Sequence, residues 1–279
     1  MIALGQFNTL PVLRLTPDYV WLDGGETGEI RLPRAGLSPL PQAGESVQVF
    51  VYTGEDGYPA ASVRTPLALV NEVASLTTLE AGRQGVWLDL GVEEAVFMPR
   101  AEQQQRLEPG WRSVVMILED ERLGLIASAR LNDFLEDEAE GLAAGEKVSL
   151  VVALRTDLGF KAVVNNRYWG MLYADEVFEP LRIGDRREGY IKRLRDDRRL
   201  DVSLAPPGYA KVEGASELVL RRLEQAGGFL PLGDHSSPEA IHAEFGISKK
   251  VFKQAIGALF RQQRLVIEND GISLVRERR

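Results

Sequence analysis

Val47, Val49 and Val51 alternate with Gln48 and Phe50, and that period of two predicts a β-strand with one face on a core. The strand runs into the turn Glu55-Asp56-Gly57, and a further short strand follows at Ala60–Val63. Upstream, the mostly apolar run Asp18-Tyr19-Val20-Trp21-Leu22 is broken by Asp23-Gly24-Gly25. No part of residues 1–66 carries a convincing 3.6 period. About five short strands in roughly 65 residues predict a small closed barrel of the OB type rather than a sandwich.

The same pattern then returns. Val20-Trp21-Leu22-Asp23 reappears as Val86-Trp87-Leu88-Asp89, and the same offset carries Pro33-Arg34 onto Pro99-Arg100, Gly44 onto Gly110, and Ala61-Ser62 onto Ala127-Ser128. A spacing of 66 residues is a duplicated small domain, because solenoid repeats run about 20–50 residues. In the second copy strands are predicted at Gly85–Leu90, Ala95–Met98, Val114–Leu118 and Leu125–Ala129. A more diverged third copy begins near Gly145. Its strands are Val148–Val152, Gly159–Val164 (aligned with Gly85–Leu90), Arg167–Tyr173 after the Asn165-Asn166 turn, and Leu200–Leu204 after Asp196-Asp197; Pro206-Pro207-Gly208 ends it. The acidic tract Asp133–Glu140 between the second and third copies is expected to be a solvated helix or linker.

From Ser216 the period becomes helical. Leu218, Leu220 and Leu223 lead to Gly227-Gly228; Ser237-Pro238-Glu239 is a helix start; Ser248 caps a helix carrying Val251, Phe252, Ala255, Ile256, Leu259 and Phe260. Gly246 separates two short amphipathic helices, and a hairpin follows, Leu265–Ile267 and Ile272–Leu274 around Asn269-Asp270-Gly271. Three helices and a hairpin make a winged helix. The expected architecture is mostly β with an α C-terminal domain: barrels over 1–66, 67–141 (with the acidic linker) and 142–209, then a winged helix over 210–279.

Composition narrows the chemistry. The 279 residues include no cysteine, which excludes disulfides, thiolate nucleophiles and Cys-type zinc sites. No run of about 18 apolar residues exists and the N-terminus does not read as a signal peptide, so the expected address is the cytoplasm, without membrane. The net charge of −8 is unevenly spread. Basic and acidic side chains number four against seven over 1–66, six against fifteen over 67–141, twelve against ten over 142–209, and eleven against nine over 210–279. A polyanion would meet the C-terminal half first.

The order barrel, barrel, barrel, winged helix resembles the conserved virulence factor B family of bacterial RNA-binding proteins. The tracts that carry the resemblance are Arg167-Tyr168-Trp169-Gly170-Met171-Leu172-Tyr173, Leu200-Asp201-Val202-Ser203-Leu204 and Ser248-Lys249-Lys250-Val251-Phe252-Lys253-Gln254-Ala255-Ile256-Gly257. The resemblance implies three S1-type OB domains, single-stranded RNA binding and post-transcriptional regulation, with no catalytic activity and no cofactor. S1-type domains place base-stacking aromatics on their second and third strands. Carried over, those positions are Trp21 and Arg31, Trp87 and Phe97, then Phe160, Lys161 and Tyr173. An aromatic on an alternating strand is usually core, and Trp21 and Trp87 are read that way first. Phe160 shares a hairpin with Lys161, Arg167 and Tyr168.

The segment 190–199 is the most cationic in the chain: Tyr190 with Lys192, Arg193, Arg195, Arg198 and Arg199 around one turn, five cations against two carboxylates. It is the first choice for RNA contact, because stacking faces interleave with charges that meet phosphates. In the winged helix, Lys249, Lys250 and Lys253 lie in the first turns of the expected recognition helix, and Arg261 and Arg264 extend that surface. His235 and His242 have no spaced ligand set, P-loop and GxSxG patterns are absent, and Asp196-Asp197 is explained by a turn rather than by magnesium. The preferred reading is single-stranded RNA on the third barrel and winged helix. Its rivals are a DNA-binding transcription factor, and a scaffold docking on the ribosome or another protein through the acidic second barrel.

Overall fold

A computed structural model describes residues 2–177, 179–205 and 211–275, with backbone only for 211–213. The Pro206–Gly208 end of the third module falls outside them. The chain forms two compact units, Met1–Leu135 and Glu136–Arg279.

The first unit holds two closed five-stranded barrels. β1 (Phe7–Leu15), β2 (Tyr19–Asp23), β3 (Glu29–Pro33), β4 (Ser46–Thr53) and β5 (Pro59–Ser62) close in the order β1-β2-β3-β5-β4. β6 (Val73–Ala81), β7 (Gly85–Leu88), β8 (Val96–Pro99), β9 (Arg112–Asp120) and β10 (Gly124–Ser128) repeat that order. In both, the third and fifth strands run parallel while the other pairs are antiparallel, which is the OB arrangement. The first strand of each barrel bulges at matching places, between Val12 and Arg14 and between Thr78 and Glu80, and the extra residue bends a short strand round the barrel.

Leu10, Val20, Leu22, Ile30, Leu32, Val49 and Val51 fill the first barrel. β4 is apolar on its other face as well, because Phe50 and Tyr52 pack outward into one cluster with Leu76, Leu88, Met98 and Ile117 of the second barrel. Polar contacts reinforce the junction. The Leu125 amide donates to Thr53 Oγ1 at 2.9 Å, and Arg31 pairs with Asp56 and, at 3.2 Å, with Glu94. The Arg31 hydrogen bond holds the Asp56 carboxyl below its usual range.

In the second unit β11 (Lys147–Thr156), β12 (Gly159–Val164), β13 (Tyr168–Tyr173), β14 (Arg186–Leu194) and β15 (Leu200–Ser203) close in the same order as before. The inward set is Val148, Leu150, Val164, Tyr168, Leu172, Ile191, Leu200 and Val202.

The winged helix comprises α1 (Lys211–Gln225), β16 (Phe229–Leu230), α2 (Pro238–Phe245), α3 (Lys249–Arg261), β17 (Leu265–Ile267) and β18 (Ile272–Leu274), with strand order β16-β18-β17. Gly246 takes φ 68° and ends α2, the left-handed conformation that a side chain would disfavour. Phe245 and Phe252 stack with centroids 5.1 Å apart inside a core of Val219, Leu223, Ile241, Ile256 and Leu259. Ser237 caps α2 by accepting from the Ala240 amide at 3.1 Å, with Pro238 opening the helix. Ser237→Ala should therefore cost about 1 kcal/mol, read as faster amide exchange confined to α2; unchanged exchange there would discount the cap.

Candidate nucleic-acid interface

Alternation sorts the side chains of the third barrel. On β12, Ala162 and Val164 point inward and Lys161 outward; on β13, Tyr168 and Leu172 point inward and Trp169, Met171 and Tyr173 outward. Phe160 is half-buried and packs against the barrel core. Tyr168 departs from its expected role: it is 4 % exposed in the core, its hydroxyl reaches the Glu140 carbonyl at 3.4 Å, and no base can stack on it. Tyr173 is half-exposed, with the Lys192 ammonium 5.7 Å from its ring centroid and the Arg195 guanidinium donating to its hydroxyl at 2.6 Å.

The register of β14 against β15 shifts between Ile191 and Arg193. A bulge lets consecutive residues share one side, and both Lys192 and Arg193 are exposed. Lys192 pairs with Glu176 at 2.6 Å. Arg195 donates through Nε to Asp201 at 2.8 Å, and that hydrogen bond raises its pKa. Arg193 enters no ion pair among the described residues, and the Tyr190 side chain is half-buried. Arg199 lies 3.8 Å from Asp197, the turn residue beside it.

The acidic tract is the largest departure from the sequence reading. Leu131–Asp133 forms one 3-10 turn, but Glu136–Glu140 is neither helix nor free linker. It lies along the third barrel. The Glu136 amide donates to the Arg167 carbonyl at 2.9 Å, the Trp169 amide to the Glu136 carbonyl at 2.9 Å, and the Ala139 amide to the Arg198 carbonyl at 2.9 Å, while the Ala139 side chain is buried in the barrel core. With the backbone so fixed, the carboxylates meet the cations that the sequence proposed for RNA. Glu136 pairs with Arg167 at 3.0 Å, Asp137 with Lys161 at 3.5 Å, and Glu138 and Glu140 with Arg198 at 2.8 and 3.1 Å. These hydrogen bonds raise the pKa of Arg167 and Arg198. Lys161 also lies 4.1 Å above the Trp169 ring, whose buried indole N–H has no partner among the described residues. The signal in the sequence was a run of carboxylates beside a basic module, which is charge complementarity rather than solvation.

In the winged helix, Lys250 and Lys253 are exposed and Lys249 half-buried along the first turns of α3. Lys253 lies 3.5 Å from Asp234, and Arg261 and Arg264 are exposed at the far end. His235 and His242 are both on the surface.

In the first unit, Trp21 and Trp87 correct the core reading. Each is half-exposed on the outer face of its barrel, between buried neighbours, because the alternation places Val20 and Leu22, or Val86 and Leu88, inside. Arg14 lies 4.7 Å over the Trp21 ring. Arg31, opposite Trp21, is held in the junction between barrels. Phe97 lies opposite Trp87, the two rings 4.9 Å apart.

Comparison with known proteins gives these modules their families. Residues 4–64 match the S1 domain family and residues 217–274 the CvfB-like winged helix domain family, both of a nucleic-acid-binding kind. The chain is 24% identical over 285 residues to conserved virulence factor B of Staphylococcus saprophyticus, covering 98% of this chain and 95% of the relative. It is also 24% identical over 292 residues to the Staphylococcus aureus protein of that name, with the same coverage. A crystal structure of a multidomain protein with nucleic acid binding domains from Streptococcus pneumoniae superposes with a TM-score of 0.46 at 20% identity, covering 98% of each chain. No helix among the described residues is long and apolar enough to cross a membrane.

Proposed function

The chain joins an S1 domain to a CvfB-like winged helix domain and resembles the conserved virulence factor B proteins along its length, and on that premise we propose that it is a non-enzymatic cytoplasmic regulator that binds single-stranded RNA through its third barrel and winged helix. The observation that carries this reading is the outer surface of β14. Its bulge exposes Arg193, which enters no ion pair among the described residues, together with Lys192, which a phosphate would draw from Glu176, beside the half-exposed ring of Tyr173. A ring for a base and two cations for the flanking phosphates suit an unpaired strand, which can present both at once. Phe160 lies on β12, paired directly with the β13 strand that carries Tyr173, and Arg195 fixes the Tyr173 hydroxyl. Lys249 and Lys250 add positive charge where the first amides of α3 favour phosphate. Lysine clusters discriminate bases poorly, which favours phosphate contact over sequence-specific duplex reading by the winged helix.

Titrating labelled oligouridylate by fluorescence anisotropy at several salt concentrations tests this. Lys192→Ala with Arg193→Ala should weaken binding and make the log Kd against log salt slope shallower by about 1.4, two phosphate contacts at about 0.7 each. Unchanged affinity and slope remove this surface from the site. Duplex DNA added at equal salt should fail to displace the oligonucleotide; equal displacement favours the DNA-binding reading.

A further inference from the structure

We propose that the cleft beside Trp87 and Phe97 in the first unit is a docking site for an arginine- or lysine-rich polypeptide, whose cationic side chain is held over the aromatic pair. The cleft has a volume of about 980 Å³ and lies between the β4–β5 turn of the first barrel and the outer face of the second. That is ample for one long side chain and its neighbours.

Three features define the ligand. The first is the platform. Trp87 and Phe97 stand opposite each other on β7 and β8, half-exposed, with centroids 4.9 Å apart and planes tilted by 48°. Phe97 leans over Gly85: a Cβ there would lie 2.3 Å from the Met98 carbonyl oxygen and 2.6 Å from the Phe97 ring, so the glycine lets both the β8 backbone and the ring come this close. A tilted pair of this kind presents π-faces to a cation.

The second is charge. Glu55, Glu80, Glu119 and Glu121 line the cleft, all exposed, and none enters an ion pair among the described residues. Arg83 and Arg122 also line it, but together with Asp120 the carboxylates outnumber them five to two. A phosphate backbone would be repelled here, and the same carboxylates would attract a cation and desolvate little on binding it. This separates the cleft from the β14 surface, where cations are exposed. Opposite electrostatics on two barrels of the same fold fit opposite partners.

The third is persistence of the shape. The cleft walls belong to two barrels that share a hydrophobic core and are tied by the Thr53–Leu125 and Arg31–Glu94 hydrogen bonds. A preformed concavity loses little entropy when a flexible basic segment enters it. Arginine suits it better than lysine, since its planar guanidinium stacks on rings while its edge donates to carboxylates.

The test uses the full chain with a fluorescein-labelled nona-arginine peptide at 0.15 M salt, where long-range attraction is screened within about 8 Å. Trp87→Ala should weaken the peptide about tenfold, the loss of a cation–π contact of about 1.4 kcal/mol, and Trp87→Phe should recover most of it. Because Trp87 faces outward, both variants should keep the near-ultraviolet dichroism of the other three tryptophans. Glu80→Gln with Glu119→Gln should weaken the peptide more than the equally charged remote pair Glu26→Gln with Glu108→Gln. The proposal is overturned if the peptide does not bind, if Trp87→Ala leaves it unchanged, if the remote pair costs as much as the cleft pair, or if Trp87→Ala weakens labelled oligouridylate, titrated without peptide, as much as it weakens the peptide. The last outcome would make the cleft a second RNA surface. None of these outcomes depends on RNA binding by the third barrel, which Lys192→Ala with Arg193→Ala tests separately.

Discussion

Converting Glu136, Asp137, Glu138 and Glu140 together to their amides is expected to raise affinity for single-stranded RNA about a hundredfold at 0.1 M salt, because three cations gain freedom to meet phosphates at a slope of about 0.7 each. The cations are Lys161, Arg167 and Arg198, each now paired with one or two of those carboxylates. The substitution isolates charge from structure. The tract is anchored by its backbone, through the amides of Glu136 and Ala139 and the carbonyl of Glu136, and by the buried Ala139 methyl. Amides keep all of this. The ion pairs themselves are largely exposed, and such pairs contribute about 0–1 kcal/mol each to stability, so the variant should stay folded. The decisive readout is the salt dependence, which should steepen by about 2. An affinity and slope equal to those of the parent would mean that RNA never approaches this side of the barrel. That result would leave Lys192, Arg193 and Tyr173 as the whole of the barrel's contribution.

This expectation also changes how the acidic tract is understood. A run of carboxylates in a chain of net charge −8 reads most simply as a solvated face. In the structure its carboxylates lie 2.8–3.5 Å from the cations that the sequence reading offers to phosphates. Partner choice for a charged side chain depends on what the fold brings within about 4 Å, and no local pattern records that. The same limit explains Arg31. Its place opposite Trp21 on a second-and-third-strand pair made it a candidate for RNA, yet the turn at Asp56 and Glu94 of the next barrel claim it.

What was legible depended on whether the signal was local. The β2, β4, β5, β7 and β8 strands, the turns and the caps at Ser237 and Ser248 follow from neighbouring residues and stand where the sequence placed them. Local alternation does not mark the opening strands β1 and β6, for a definite reason. A bulge beside Leu13, and another beside Leu79, inserts one residue and reverses the parity of everything beyond it, so the period of two cancels over the strand. Alternation marks β11 only over Val148–Val152, the part that precedes its own register shift between Val152 and Leu154. The tryptophans failed differently. Parity correctly set Trp87 apart from Val86 and Leu88, but parity does not say which face of a strand is covered. On β4 both faces are, because Phe50 and Tyr52 belong to the core shared with the second barrel; on β7 only one is.

Gly159→Ala is expected to be the most damaging single substitution in the third barrel, at about 3 kcal/mol or more, because backbone strain and a steric clash act at one position. Gly159 has φ of 147°, where a side chain is disfavoured, and a Cβ there would lie 2.2 Å from the Leu172 carbonyl oxygen and 2.6 Å from the Ala174 amide nitrogen. Both obstacles are backbone, and neither can yield without parting β12 from β13 where Gly159 faces Tyr173. Gly110→Ala is the matched control: its φ is 85° with nothing within 4 Å, so it should cost only the conformational strain, about 1 kcal/mol. The second barrel makes the same close approach at the aligned Gly85, where a Cβ would lie 2.3 Å from the Met98 carbonyl oxygen, whereas the first barrel carries Tyr19 at that place. Amide exchange should accelerate over Lys147–Ser203 and leave Phe7–Ser128 protected. Oligouridylate affinity should fall with it, since Tyr173 and its neighbours lose their alignment. Parent-like exchange in Gly159→Ala would mean that the β12–β13 hairpin opens at little cost. The aromatic and cationic surface of β13 and β14 would then be assembled by RNA on binding rather than presented to it.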